Sequence, residues 1–213
     1  MPEPTDRSRV RRLPERGRYD TETIHQVLEE ALICHVSFVT DDGPVVIPTI
    51  HARVGNTLYL HGSHASRMMR STVGEDVCVA ATIVDGIVAA RALFHHSLNY
   101  RSVVVFGTTR VVVDVDERMV AFEASTEHVL PGRWVEGRRP NTKEDKGTNL
   151  LAIEISEASA KVRTGPPGDD DEDLGSGIWA GVIPLATIAG PAIPAPDLED
   201  GVDVPPSVTG YLT

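Results

Sequence analysis

Apolar positions first follow a helical period. Thr23 and Gln26 suit a capping box, and Ile24, Val27, Leu28, Ala31 and Leu32 fall at helical spacing, which predicts a helix with one buried face. The period then shortens to two. His35 to Thr40 alternates and stops at Asp41-Asp42-Gly43-Pro44, a turn signal. Val45 to Val54 reads as a second strand, on a sheet edge or bulged because it contains Pro48. Gly55-Asn56 turns the chain into a third strand, Thr57 to His61, and a helix is expected over about 64–73.

Val77 to Val84 is a further strand. Asp85-Gly86 signals a two-residue hairpin, and Ile87 to Phe94 returns. After the loop His95 to Asn99, Tyr100 to Val115 forms a long β-branched run, with Gly107 predicting a bulge or bend. A helix is expected over Asp116 to Leu130, its inner face made by Met119, Phe122, Thr126, Val129 and Leu130. Leu150 to Val162 is the last expected strand. Many short antiparallel strands with tight turns and few helices predict a mainly β fold. Their order suggests a small closed barrel rather than a doubly wound sheet. A barrel this small fills its own interior, so a ligand is expected outside it or at a subunit seam.

Composition divides the chain in three. Residues 1–18 are polar, arginine-rich and aperiodic, and read as a mobile arm or one ordered only against a partner. Residues 19–163 carry the barrel, and 164–213 form a Gly/Pro/Asp-rich extension around the apolar island Ile178 to Leu185. The net charge of −11 argues against a nucleic-acid partner. No apolar run approaches the ~20 residues that span a membrane, and the N-terminus has no secretory h-region. Cys34 and Cys78 sit in apolar runs as buried thiols of a reducing compartment, so the cytoplasm is expected. The acidic run Asp169 to Asp173 reads as a solvated loop.

Three stretches could carry chemistry. In Leu58 to Met69, LYLHGSHASRMM, a strand runs into a helix start bearing Ser63, Ser66 and Arg67. Helix-start N–H groups, hydroxyls and a guanidinium suit a phosphate, and the plain alternative is a Ser-capped helix with a surface arginine. The second is Asn99-Tyr100-Arg101-Ser102, a polar tetrad at the head of an apolar strand. The third is the histidines. His61 and His64 lack the spacing of a zinc pair, and no metal ligand set is expected. Dinucleotide, P-loop, serine-hydrolase and CxxC motifs are absent, which leaves hard chemistry to a cofactor.

The segments PVVIPTIHARVGNTLYLHGS, HASRMMR and NYRSVVVFGTTRVV, with HVLPGRW before a strand ending in AKVR, identify a likeness spanning Tyr19 to Arg163. The chain resembles the pyridoxamine 5′-phosphate oxidase-like, FMN-binding split-barrel superfamily, nearest its flavin-nucleotide-binding branch with the nitroimidazole-resistance reductases. The resemblance implies a mainly β, antiparallel split β-barrel of Greek-key type with a few flanking helices, and a homodimer with FMN between subunits. It places Val46, Ile47, Pro48 and Thr49 along the isoalloxazine, and Ser63, Ser66 and Arg67 on the phosphate. Asn99, Tyr100, Arg101, Ser102 and Trp134 would come from the partner subunit. His61 matches a histidine near the flavin in the reductases, and His61 and Tyr100 are candidate proton donors. Met68 stands where the oxidase has a lysine, and the oxidase's C-terminal arginine signature is missing, which argues against pyridoxamine phosphate as substrate. The implied activity passes electrons from NADH or NADPH to a small nitroaromatic or quinone-like acceptor. The alternative is a flavin or haem carrier or sensor without turnover, with His95-His96 as the place for an iron ligand.

Overall fold

The structure, a computed structural model, describes residues 4–211. Two antiparallel sheets enclose one core. The first sheet holds β1 (Gly17–Arg18), β2 (Cys34–Thr40), β3 (Gly43–Thr49), β6 (Asp76–Ala89), β7 (Ser97–Thr108) and β10 (Glu157–Arg163). Its order is β1-β10-β7-β6-β2-β3, and β11 (Gly181–Pro184) pairs with β6. The second sheet, β4-β5-β9-β8, is made of β4 (His51–Val54), β5 (Thr57–Ser63), β9 (Thr148–Glu154) and β8 (Arg110–Val111). The fold is mainly β and the sheets do not close into one cylinder, as a split barrel requires.

Three expected strands cross from one sheet to the other, and each is broken at the crossing. Val45 to Val54 divides at Ile50 into β3 and β4. Tyr100 to Val115 divides near Thr109 into β7 and β8, and Leu150 to Val162 divides at Ile155-Ser156 into β9 and β10. Gly107 marks one corner: a Cβ there would lie 2.7 Å from Ile153 Cγ2, so only glycine allows β7 to pass this close to β9. β3 is the edge strand that Pro48 called for.

The hairpin expected at Asp85-Gly86 is not there. β6 runs straight through it for 14 residues, with a register shift between Val84 and Gly86 against β7. The Asp85 carboxylate takes a bidentate pair from Arg101, at 3.0 and 2.8 Å, so the extra residue of the bulge carries an ion pair. The chain reverses later, through a 3-10 turn at Leu93–His95.

Helix α1 (Thr21–Glu30) is capped by Asp20, whose side chain accepts from Thr23 N at 2.8 Å; the expected Thr23–Gln26 box does not form. Ile24, Val27 and Leu28 close one end of the barrel core, whereas Leu32 lies beyond the helix and is exposed. The barrel interior is filled by residues of both sheets, including Val36, Phe38, Leu60, Val79, Val105, Leu151 and Ile153. Burial pushes the Cys34 thiol up to about 12. Helix α3 (Val115–Val129) lies outside the second sheet. Ala121 and Phe122 pack there on Tyr59 and Leu150, while Val129 is exposed and Ser125 takes a buried place, which alters the inner face expected from periodicity.

Of the expected N-terminal arm, residues 1–3 lie outside the described residues, and 4–18 differ from expectation. Ser8 is buried, Arg7 pairs with Asp76 and Glu157, and β1 adds to β10, so this segment packs on its own barrel. The C-terminal extension is tied down too. Asp169 accepts from Arg91 N and Nη1 at 2.7 and 2.8 Å, and β11 pairs with Gly86 to Ala89. Ser207, in α6 (Pro206–Tyr211), bonds Glu136 of α4 (Arg133–Glu136).

Candidate functional site

β5 leads into a tight turn and then α2 (Arg67–Ser71), a helix of five residues and shorter than the expected 64–73. Part of the span is spent on the turn: Ser66 N donates to the Ser63 carbonyl at 2.9 Å, and Ala65 N to Ser63 Oγ at 3.2 Å. Ser66 is the N-cap residue and its side chain makes no cap bond. A Cβ at Gly62 would sit 3.1 Å from Met69 Cγ, so glycine lets α2 lie directly on β5. Met68 and Met69 are buried in the core. Position 68, where the oxidase has a lysine, therefore faces away from any ligand at the turn.

Arg67 reaches back to Thr40 at the β2–β3 turn, donating from Nη2 to Oγ1 at 3.3 Å. Among the described residues neither Arg67 nor Arg70 has a carboxylate partner. Ser63, Ser66, Arg67 and Thr40 thus form a small cationic, hydroxyl-rich corner on an acidic protein. Sequence reasoning had missed Thr40; only the fold brings it 27 positions back to Arg67.

The edge strand β3 runs from this corner. Ile47 packs against the core, Val46 stands 60% exposed, and Pro48 is exposed with no N–H to offer. β4 pairs with β5 with His51 opposite Leu60. Continued by one residue, that register sets Ile50 beside His61, where β3 leaves for the other sheet. His61 and Ser63 share one face of β5. His61 Nδ1 is buried without a hydrogen-bond partner among the described residues, and burial lowers its pKa. Such an unpaired ring nitrogen is the kind of group that a bound ligand satisfies.

The second cluster lies elsewhere in the chain. β7 is separated from β3 by β6 and β2, so Asn99 to Ser102 do not meet the β5–α2 corner within one subunit. Arg101 is held by Asp85 and by Glu30, and these anions raise its pKa. Asn99 donates to the Gly165 carbonyl at 3.1 Å and accepts from Arg163 Nη1. Ser102 Oγ donates to the Lys161 carbonyl at 3.4 Å, and Tyr100 is half-buried at the strand head. Arg101, Asp85 and Glu30 line an open cleft of about 820 Å³ together with Leu185, Thr187 and Tyr211. Asp85 and Arg163 were overlooked because one was read as a turn residue and the other as a strand end. Trp134 sits in α4 with the Arg139 guanidinium stacked 3.9 Å over its ring.

Around His95 the structure gathers what the sequence left apart. His95 Nε2 lies 3.2 Å from Asp170 Oδ2, and possible ligand atoms of His95, Asp170 and Asp173 fall within 4.8 Å of one another. Among the described residues no helix is long and apolar enough to cross a membrane.

The chain is thus an open antiparallel barrel with a filled interior that carries a cationic strand–helix corner beside a bare edge strand. A family model described as pyridoxamine 5′-phosphate oxidase matches residues 20–162, and the chain belongs to that family. A search of curated proteins finds no match. Among solved structures, the flavocytochrome Anf3 from Azotobacter vinelandii is 34% identical, with TM-score 0.92 and 99% of each chain covered. An FAD and heme binding protein from Mycobacterium smegmatis is 38% identical, with TM-score 0.88, covering 92% of this chain and 97% of that one. A candidate 5-nitroimidazole antibiotic resistance protein from Bacteroides thetaiotaomicron shares the fold at 17% identity and TM-score 0.57, over 68% of this chain and 86% of that one.

Proposed function

We propose that this protein binds a flavin nucleotide outside its barrel and works as a flavin-dependent oxidoreductase. The observation that carries this reading is the corner at Ser63, Ser66, Arg67 and Thr40, opening onto the bare edge of β3. A phosphate suits that corner: two hydroxyls, a guanidinium without a carboxylate partner and the first N–H groups of α2 all favour an anion. The flat ring suits Val46 to Thr49, where half-exposed apolar side chains alternate along an edge whose main chain is unpaired on one side. His61 Nδ1 would find a partner at the polar rim of such a ring. A flavin bound there would supply the redox chemistry, hydride acceptance from NADH or NADPH and electron transfer to a small acceptor such as a nitroaromatic or quinone. The chain's residues grip the phosphate, orient the ring and, at His61 or Tyr100, hold a proton.

FMN is the ligand that this corner accounts for by itself. A second subunit supplies the other wall, with Asn99 to Ser102 and Trp134 as its contribution to a homodimer. The absorbance spectrum of the purified protein tests the reading. Flavin bands bleached anaerobically by NADH or NADPH are expected, and a protein that takes up no flavin overturns it. Chromatography of the released flavin separates FMN from FAD. FAD keeps the flavin reading and extends the site beyond Arg67, toward Arg70.

A second redox group is favoured by one feature: the His95-His96 loop carries Leu93 and Phe94 at 84% and 92% exposure. Apolar side chains this bare beside two histidines suit haem, for which imidazole is a common axial ligand and apolar side chains form the walls. The two relatives similar over nearly the whole chain, a flavocytochrome and an FAD and heme binding protein, support the same reading. A Soret band after haemin is added tests it.

A further inference from the structure

We propose that His96, rather than its neighbour His95, supplies the iron ligand, through Nε2, and that Leu93 and Phe94 form one wall against the porphyrin. This rests on the haem reading above. Two anchors fix the loop from Ala90 to His96. Arg91 is tied through main chain and side chain to Asp169, and His95 Nε2 faces Asp170 at 3.2 Å. Those ties use His95 and leave His96 as the free imidazole of the pair.

His96 Nδ1 lies 3.4 Å from the Ala92 carbonyl. A carbonyl only accepts, so the ring proton sits on Nδ1 and the Nε2 lone pair is left available. A ring held at one nitrogen by a main-chain carbonyl, with the other nitrogen free, has the polarity of a metal-ligating histidine. Among the described residues Nε2 of His96 makes no hydrogen bond.

The surroundings agree. β11 begins at Gly181, opposite Ala89 at the end of the β6–β7 ribbon. Ile178 and Trp179, 56% and 67% exposed, therefore leave the ribbon at the end that carries Leu93 and Phe94. Leu93 and Phe94 are exposed apolar side chains of the kind that marks a binding surface, with Trp179 close over Gly181 at the start of β11. Asp170 and Asp173 lie on the His95 side of the loop, so their carboxylates gather at His95 and not at His96. Other histidines are less suited. His51 and His128 are bonded to carbonyls inside the fold, His64 Nε2 is bonded to the Lys146 carbonyl, and His61 lies at the flavin corner.

Haemin titration of the flavin-loaded protein, followed at the Soret band, is the test. In His96→Ala, haem affinity is expected to fall about tenfold or more, by analogy with the loss of a metal-site group, with flavin absorbance unchanged. In His96→Gly, free imidazole is expected to restore the wild-type Soret position, which a purely structural residue would not allow. His95→Ala and His35→Ala are expected to keep the wild-type spectrum. Unaltered haem binding in His96→Ala, or its loss in His35→Ala or His95→Ala alone, overturns the assignment to His96 while the haem reading stands. A wild-type protein that takes up no haem overturns that reading, and the assignment with it.

Discussion

Arg67 and Ser66 are the proposed phosphate grip, so their removal is the sharpest test at the level of single residues. A charge-assisted hydrogen bond to an anion contributes roughly 1.5–3 kcal/mol. Ser66→Ala with Arg67→Ala is therefore expected to weaken flavin binding about tenfold to a hundredfold, measured by fluorescence titration, with the melting temperature of the flavin-free protein little changed. His51 belongs to stability. It is fully buried, its Nε2–H donates to the Leu28 carbonyl at 2.8 Å, and its ring lies 4.7 Å from that of His128. His128 Nε2–H donates to Ala31 O at 3.1 Å, so both rings hold the end of α1. Burial lowers the His51 pKa from 6.5 to about 4. The unfolded chain binds this proton first, so the stabilisation is complete above pH 6.5 and is lost as pH falls toward 4. The loss is on the order of 3 kcal/mol. Urea denaturation between pH 7 and 4 should show that fall. His51→Gln, which keeps a donor for Leu28 but does not titrate, should make it shallower, with His128, His61 and His25, whose pKa burial also lowers, left to supply the rest. No sequence pattern distinguishes His51 from the other histidines, because the barrel and two helices must assemble before it is buried.

At the level of elements, the corners decide the fold. Gly107 was legible as a corner because glycine interrupts a β-branched run. What the residue is needed for, the approach of Ile153, appears only when β7 and β9 meet. Gly107→Ala is expected to cost about 1–3 kcal/mol through overpacking. The cost should shrink in an Ile153→Ala background, and a double-mutant cycle by chemical denaturation measures that coupling. Asp85-Gly86 shows the opposite case. Locally the pair is a strong turn signal, yet β6 continues through it. Twelve residue pairings with β7 and the Arg101 ion pair outweigh the preference of two residues. Pro48 was read correctly as an edge residue, since a missing N–H constrains a strand whatever its neighbours are.

For the whole molecule, the C-terminal extension is the part that composition describes least well. The composition reads as an extension crossing the barrel or a neighbour without naming an element, and β11 takes the place beside β6 that β2 holds farther along the same strand. Truncation after Arg163 removes β11 and the Asp169–Arg91 tie, and bares the edge of Gly86 to Ala89. The truncated chain is expected to melt at a lower temperature and to self-associate, because an uncovered edge pairs with other chains. Differential scanning calorimetry and light scattering at several concentrations check both effects. The N-terminal segment is similar: its arginines read as a mobile arm, while Arg7 in fact bridges Asp76 and Glu157 on neighbouring strands.

The sequence by itself determined the barrel, most of its strands, the buried face of α1 and the β5–α2 corner with Ser63, Ser66 and Arg67. These follow from local properties: side-chain period, proline and glycine geometry, and the polarity of a helix start. Tertiary structure alone decided where strands break to change sheets, that Asp85 makes a bulge, and that Arg101 is held by Asp85 and Glu30. It also decided that Thr40 joins the corner, that Met68 faces the core and that His96 keeps a free nitrogen. Each of these depends on what lies across a sheet or on a neighbouring element, and contacts between residues distant in sequence leave no period to read.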